Sequence, residues 1–301
     1  MMVTDTYNSP HNFCKQVSKV KPTQAFVLLL LCCLSIAHAW AQSPWTPKKG
    51  HGYAQMSFNL IGPYQSLFLA NGESQTLSRK FNDITLQGYG EWGITNRTTL
   101  IAVIPWKILT SGEATNGNIP SIPSSTLSTF GNVELGFRRN FTQNKVVFSG
   151  QLMIEAPTGT FKEVSGLRSG YDAWAIVPTL SLGQGTDRLY GYVSAGTGVR
   201  NNHYSSDFRL NAEGGYKLFK KWWMIAVVNY RVSFKNGNVS FTDSNLQTGL
   251  YVNDQEYFAF GLKTIVELSP KWGLNGAAYG AGGGNYVAKS PSFNAGVYYK
   301  W

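Results

Sequence analysis

The stretch DFRLNAEGGYKL, residues 207–218, decides how this chain folds. Phe208, Leu210, Ala212, Gly214, Tyr216 and Leu218 fall on one side of a period-two repeat. Asp207, Arg209, Asn211, Glu213, Gly215 and Lys217 fall on the other. Successive side chains of an extended strand point to opposite faces, so the pattern predicts a strand with one apolar and one polar face. The repeat is long. Ordinary globular strands run about 5–6 residues, whereas a tilted strand crossing a bilayer needs about 9–11.

Outward from that segment, the same alternation predicts strands at 52–61, 82–92, 99–107, 131–141, 145–156, 171–183, 188–200, 222–235, 256–268, 272–281 and 291–301. Short turns are expected at 95–97, 142–144, 184–187, 219–221 and 269–271. They alternate with longer polar or Gly/Pro-rich loops at 62–80, 108–129, 157–170, 201–206, 236–255 and 282–290. This is the connectivity of an all-β, single antiparallel up-and-down transmembrane barrel of about twelve strands, with short periplasmic turns and long external loops. Trp92, Phe141, Tyr190, Phe219, Trp222, Trp223, Trp272 and Trp301 cluster near the short turns and read as an interfacial aromatic girdle. A soluble barrel with the apolar face inward is the competing fold. Twelve strands enclose more space than side chains fill, since about eight is near that limit.

The beginning of the chain fits secretion. Residues 25–37, AFVLLLLCCLSIA, form an apolar run with the length of a signal-peptide core, flanked by Lys15, Lys19 and Lys21. Two small-residue cleavage patterns follow, Ala37-His38-Ala39 and Ala39-Trp40-Ala41. The second is preferred, making 1–41 the signal peptide and 42–301 the barrel domain. Removing 1–41 takes Cys14, Cys32 and Cys33 with it, so no disulfide or thiol site is expected. His51 and His203 then remain, too few for a zinc constellation, and neither metal nor cofactor is predicted. The lost segment holds three Lys and one Asp, which lowers the net charge from +10 to +8. That charge is dispersed, without the basic block of a nucleic-acid site.

Several segments carry a family resemblance. YGEWGITNRTTLIAVIPW (89–106), TFGNVELGFRRNF (129–141), LMIEAPTGT (152–160) and PWTPKKGHGY (44–53) resemble the outer-membrane proteins grouped as the meta-pathway phenol-degradation family. The resemblance implies a barrel in the outer membrane of a Gram-negative bacterium. It also implies porin-like transport connected with aromatic compounds.

The face predicted to line the lumen carries Glu91, Glu134, Arg138, Glu155, Arg209, Glu213, Lys217, Arg231, Lys235, Lys263 and Glu267. Charges are expensive against lipid and acceptable in a wet or hydrogen-bonded interior. They suggest a channel or carrier for small, hydrophobic or aromatic solutes; the alternative is a barrel plugged by its own ion pairs and used for structure or adhesion. Pro105 and Pro178 interrupt strands and are candidate points of lateral opening into the bilayer. A third alternative is lipid hydrolysis by His203 and Ser205 in the stretch NNHYSSDF (201–208). Finally, FNAGVYYKW (293–301) places Phe293, Ala295, Val297, Tyr299 and Trp301 on one face. Val297, Tyr299 and Trp301 resemble the terminal aromatic signal read by the barrel-assembly machinery. Expected partners are thus outer-membrane lipid, that machinery and a small solute.

Overall fold

The computed structural model describes residues 43–114 and 122–301. The signal peptide and its cleavage sites lie outside the described residues. Among the described residues, twelve strands build the wall. They are β1 (Gly52–Phe68), β2 (Ser74–Gly93), β3 (Thr98–Ser111), β4 (Ser125–Phe130 and Val133–Asn140), β5 (Val146–Ala156) and β6 (Ala175–Gly185). The second half comprises β7 (Leu189–Arg200), β8 (Asp207–Phe219), β9 (Trp222–Ser233), β10 (Glu256–Glu267), β11 (Trp272–Asn285) and β12 (Ser292–Lys300). Sequential neighbours pair antiparallel, and β1 pairs with both β2 and β12. Tyr53 lies opposite Lys300 and Ile61 opposite Ser292, so the sheet closes without a free edge.

The alternation along each strand separates lipid from lumen. Met56, Phe58, Leu86, Ile104, Leu135, Phe137, Leu180, Leu182 and Phe293 all point outward and are exposed. A belt of that extent would drive aggregation in water, and in a bilayer it is the hydrocarbon-facing wall. Trp92, Phe141, Phe219, Trp222, Trp272 and Trp301 are exposed around the short-turn end and form the girdle. Two residues assigned to that girdle turn inward instead. Tyr190 donates to Glu213 Oε2 at 3.2 Å, and Trp223 Nε1 donates to Glu267 Oε1 at 3.1 Å.

Two of the expected long loops are largely strand. β1 runs to Phe68 and β2 starts at Ser74, so most of 62–80 is a hairpin standing beyond the apolar belt. Its outward positions are Pro63, Gln65 and Lys80, polar or punctuating residues that hide the alternation once the outer face meets water. β3 likewise continues to Ser111, and β4 takes up 125–130. At the other extreme, β6 begins at Ala175, four residues after the predicted start at 171.

The external end is packed like a soluble core. Tyr64, Leu67, Leu77, Phe81, Leu109, Leu167 and Leu250 are buried together there. The connections 157–174 and 234–255, which contain the polar or Gly/Pro-rich loops expected at 157–170 and 236–255, fold into the mouth. Asn245, fully buried, donates to the carbonyls of Gly166 at 3.1 Å and Leu250 at 3.3 Å. Gly166 has φ +68° and passes against the Ser244–Asn245 backbone, where a side chain has neither the conformation nor the room. Tyr171 receives Tyr204 and Tyr251 edge-on, with ring centroids 5.4 and 5.2 Å away.

Candidate functional site

Beneath these folded loops lies a cavity of about 170 Å³. One part of its lining is apolar, from Ile61 and Tyr64 of β1, Val103 of β3, Leu250 and Val287. The rest is charged: Asp83, Lys107, Glu134, Glu155, Arg200, Arg209 and Arg231. The basic members are held from below and beside. Asp207, its side chain only 3% exposed, accepts from Arg209 Nε at 2.6 Å, from Arg231 Nη2 at 2.6 Å and from Arg200 Nη1. The Arg200 and Arg231 guanidinium groups also lie 4.4 and 5.7 Å from the centre of the Tyr171 ring, a cation–π arrangement. Arg200 Nε and Nη2 have no hydrogen-bond partner among the described residues, which leaves donor capacity on the cavity wall.

The opposite side is tied as firmly. Lys107 Nζ pairs with Asp83 Oδ2 at 2.7 Å and lies 5.3 Å from the Tyr251 ring centre. Burial pushes the Tyr251 phenol up to about 12, so it stays an uncharged hydroxyl at physiological pH. Glu134 and Glu155 face each other in the β4–β5 register, and Glu155 accepts from Asn132 Nδ2 at 2.8 Å. With Asp207 counted, four basic and four acidic side chains surround the space, so its charge balances.

Nearer the short turns, the lumen is filled by residues that strand periodicity does not describe. Pro44 is buried, and the Trp45 ring stands edge-on to Tyr190 and Tyr192 at 5.7 and 6.0 Å. Its carbonyl accepts from Arg138 Nη1 at 2.9 Å. The following residues are stitched to the end of β2, with Gly50 N donating to Gly93 O at 2.8 Å and Gly93 N to His51 O at 2.9 Å. The segment therefore enters the lumen from the short-turn side. The folded loops border the cavity through Leu250 and Tyr251, and the N-terminal segment fills the lumen nearer the short turns.

The sequence-predicted lumen residues separate into levels. Glu134, Glu155, Arg209 and Arg231 border the cavity. Nearer the short turns, Arg138 pairs with Glu91 at 3.0 Å, Lys217 with Glu267 at 2.9 Å, and Lys263 with Glu213 at 3.5 Å. Lys235 does not reach the lumen: it follows the end of β9, is exposed, and meets Glu256 at 3.6 Å. Asp83, Lys107, Arg200 and Asp207 were missed as lumen charges, although each shares the inward phase of its strand. Asp83 is separated from Glu91 by an even number of residues, as Asp207 is from Arg209.

The two prolines differ. Pro178 points outward, paired with Leu152 on one side, while the ladder to β7 lapses between Gly196–Thr179 and Val199–Ile176. Pro105 lines the cavity, opposite the Gly131–Asn132 interruption of β4, where the β3–β4 register shifts. That interruption is bridged by the β5–β6 connection. Thr158 Oγ1 donates to Gly131 O at 2.6 Å, Val133 N to Thr158 Oγ1 at 2.9 Å, and Gly159 N to Asn132 Oδ1 at 3.1 Å.

The hydrolase pair is not assembled. Ser205 is buried and its Oγ accepts from Gly237 N at 2.9 Å, whereas His203 is exposed on a left-handed turn with φ 64°. No hydrogen bond joins the two side chains among the described residues.

No protein-family model and no curated protein matches the sequence. Solved structures do match. An outer membrane channel from Pseudomonas putida F1 superposes with a TM-score of 0.67 at 12% identity, covering 88% of this chain and 100% of that one. More distant matches include the translocator domain of the autotransporter NalP from Neisseria meningitidis (TM-score 0.48, 13% identity, 85% of this chain and 90% of that one). The toluene transporter TodX from Pseudomonas putida also matches (TM-score 0.43, 11% identity, 89% and 95%). At 12% identity the likeness to the first of these concerns the fold, and it agrees with a closed barrel that carries an apolar belt. The chain is a β-barrel of the Gram-negative outer membrane.

Proposed function

We propose that this outer-membrane barrel carries small, largely apolar solutes of single-ring size, such as monoaromatic compounds, through the chamber in its lumen. The observation that supports the reading is the chamber itself: about 170 Å³, apolar along one wall and charge-balanced along the other. An apolar cavity of about 150 Å³ is large enough to bind benzene. The balanced charges repel neither a neutral ring nor one with a single polar substituent. Arg200 and the two glutamates offer such a substituent hydrogen-bonding partners. Passage along the barrel must get by the Trp45 ring, which fills the lumen against Tyr190 and Tyr192.

Planar-bilayer recording tests this directly. The intact barrel is expected to show small, intermittent conductance, and Trp45→Ala to raise the open fraction several-fold by removing the ring held between Tyr190 and Tyr192. Liposomes containing the barrel should accumulate a small aromatic solute faster than empty ones. No conductance and no uptake from either protein would leave a structural or adhesion barrel as the better description.

The wall beside Pro105 gives the solute a second way out, sideways into the bilayer, because the ladder is already broken at the height of the chamber. Asn132 latches that break through three hydrogen bonds, to Glu155, Tyr171 and Gly159. Asn132→Ala should raise the transfer of apolar solutes into the membrane more than it raises ionic conductance. Equal changes in both would place the exit at the ends of the barrel.

A further inference from the structure

The two rims of the barrel differ in charge: the short turns are strongly basic, whereas the external side carries both signs. The five short turns, 94–97, 141–145, 186–188, 220–221 and 268–271, contain Arg97, Lys145, Arg188, Lys220, Lys221 and Lys271 against a single carboxylate, Asp187. The six external connections contain four Lys or Arg and six Asp or Glu. All six cations of the short turns are exposed, and none joins an ion pair. Inside the lumen, by contrast, nearly every charge is partnered. Among the described residues, six exposed cations outside any ion pair thus lie at one height.

That height coincides with the membrane interface. Trp92, Phe141, Phe219, Trp222, Trp272 and Trp301 are exposed just above these turns, in the layer where amphipathic rings meet lipid headgroups. Phe219 and Trp222 stack at 5.8 Å immediately beside Lys220 and Lys221, and Trp272 follows Lys271 directly. A lysine or arginine so placed reaches a phosphate with its head while its stem lies along the rings.

From this juxtaposition we infer that the short-turn rim binds anionic phospholipid headgroups of the periplasmic leaflet, of the phosphatidylglycerol class, as a lipid collar. The partner is lipid because the cations surround the wall at girdle level. An acidic protein would be met by a patch on one side.

The test uses the full barrel reconstituted in bilayers of mixed phosphatidylglycerol and phosphatidylcholine, then extracted gently and analysed for co-purifying lipid by mass spectrometry. Phosphatidylglycerol should be enriched several-fold over its bulk share. The quadruple substitution Arg188→Gln, Lys220→Gln, Lys221→Gln and Lys271→Gln should abolish the enrichment, and Asp187→Asn should increase it. Lys162→Gln with Lys289→Gln on the external side should leave it unchanged. If the quadruple variant does not fold, the unmodified barrel still decides the matter, because enrichment should collapse between about 0.01 M and about 1 M salt. Inorganic phosphate should displace no more lipid than chloride at equal ionic strength; greater displacement would mark an anion site and overturn the lipid assignment. Retained lipid of bulk composition would overturn it as well, including the case in which the rim instead captures an acidic periplasmic protein.

Discussion

Asp207→Ala is expected to destabilise the barrel by about 3–5 kcal/mol or more, the cost of removing one partner from a buried ion pair. Here one carboxylate satisfies three guanidinium groups, those of Arg200, Arg209 and Arg231. Two of them already carry nitrogens without partners, so the network has no spare acceptor for the arginines that the substitution releases. The residue also begins β8, opposite Gly198 of β7 and Ser233 of β9, so the loss falls on two inter-strand seams. Urea titration of the barrel refolded in lipid should show the drop, together with a lower temperature for loss of heat-modifiable mobility. Asp207→Asn should be intermediate, retaining acceptors without charge. A control makes the electrostatic origin testable. Replacing the carboxylate and all three arginines together by apolar residues should recover much of the stability, because burying the group costs desolvation that the pairs only offset. An unchanged unfolding midpoint for Asp207→Ala would show that water, rather than Asp207, compensates the arginines.

Deleting Tyr299–Trp301 should abolish assembly altogether. These residues complete the seam: Tyr299 pairs with Ala54 of β1 and with Trp272 of β11, and Trp301 N donates to Gly52 O at 3.2 Å. The same deletion removes the rings of Tyr299 and Trp301, which extend the stack begun by Trp272 at 4.7 and 6.0 Å. A closed sheet has no edge to fray, but an unfinished seam leaves two strand edges unpaired at the membrane interface and weakens the closure that the hydrocarbon-spanning part depends on. Recovery from the outer-membrane fraction, with the gel-mobility shift of a folded barrel, is the measurement. Normal recovery would show that β12 closes without its last residues and that Tyr299 and Trp301 are dispensable to the assembly machinery.

How much of this was legible in the sequence follows from what surrounds each residue. Wherever the outer face meets lipid, as at Phe208, Leu210 and Ala212, the sequence must alternate, and strand and phase can be read directly. Beyond the belt the outer face meets water, alternation no longer has a physical cause, and the extensions of β1, β2 and β3 disappear from view. The lumen charges that lay within alternating stretches were readable for the same reason that Phe208 was. Their pairing was not, because Asp207, Arg200 and Arg231 come from three strands and meet only once the register is fixed. The N-terminal segment in the lumen was hidden more completely. Trp45 looks like one more interfacial aromatic in a Pro-rich leader, and nothing local says that its ring turns in to meet Tyr190 and Tyr192. The folded loops are similar, since the burial of Leu250 and Asn245 depends on contacts from 157–174.

Under the proposed function, a chamber of single-ring size has a kinetic signature. An open pore passes solute in proportion to concentration without limit, whereas a compartment holding one ring at a time must be emptied before it is refilled. Influx through this protein should therefore saturate, and two solutes offered together should slow each other even when neither alters the current. The packing of Trp45 against two tyrosines would then set the maximal turnover, and the apolar wall the concentration at which half of it is reached.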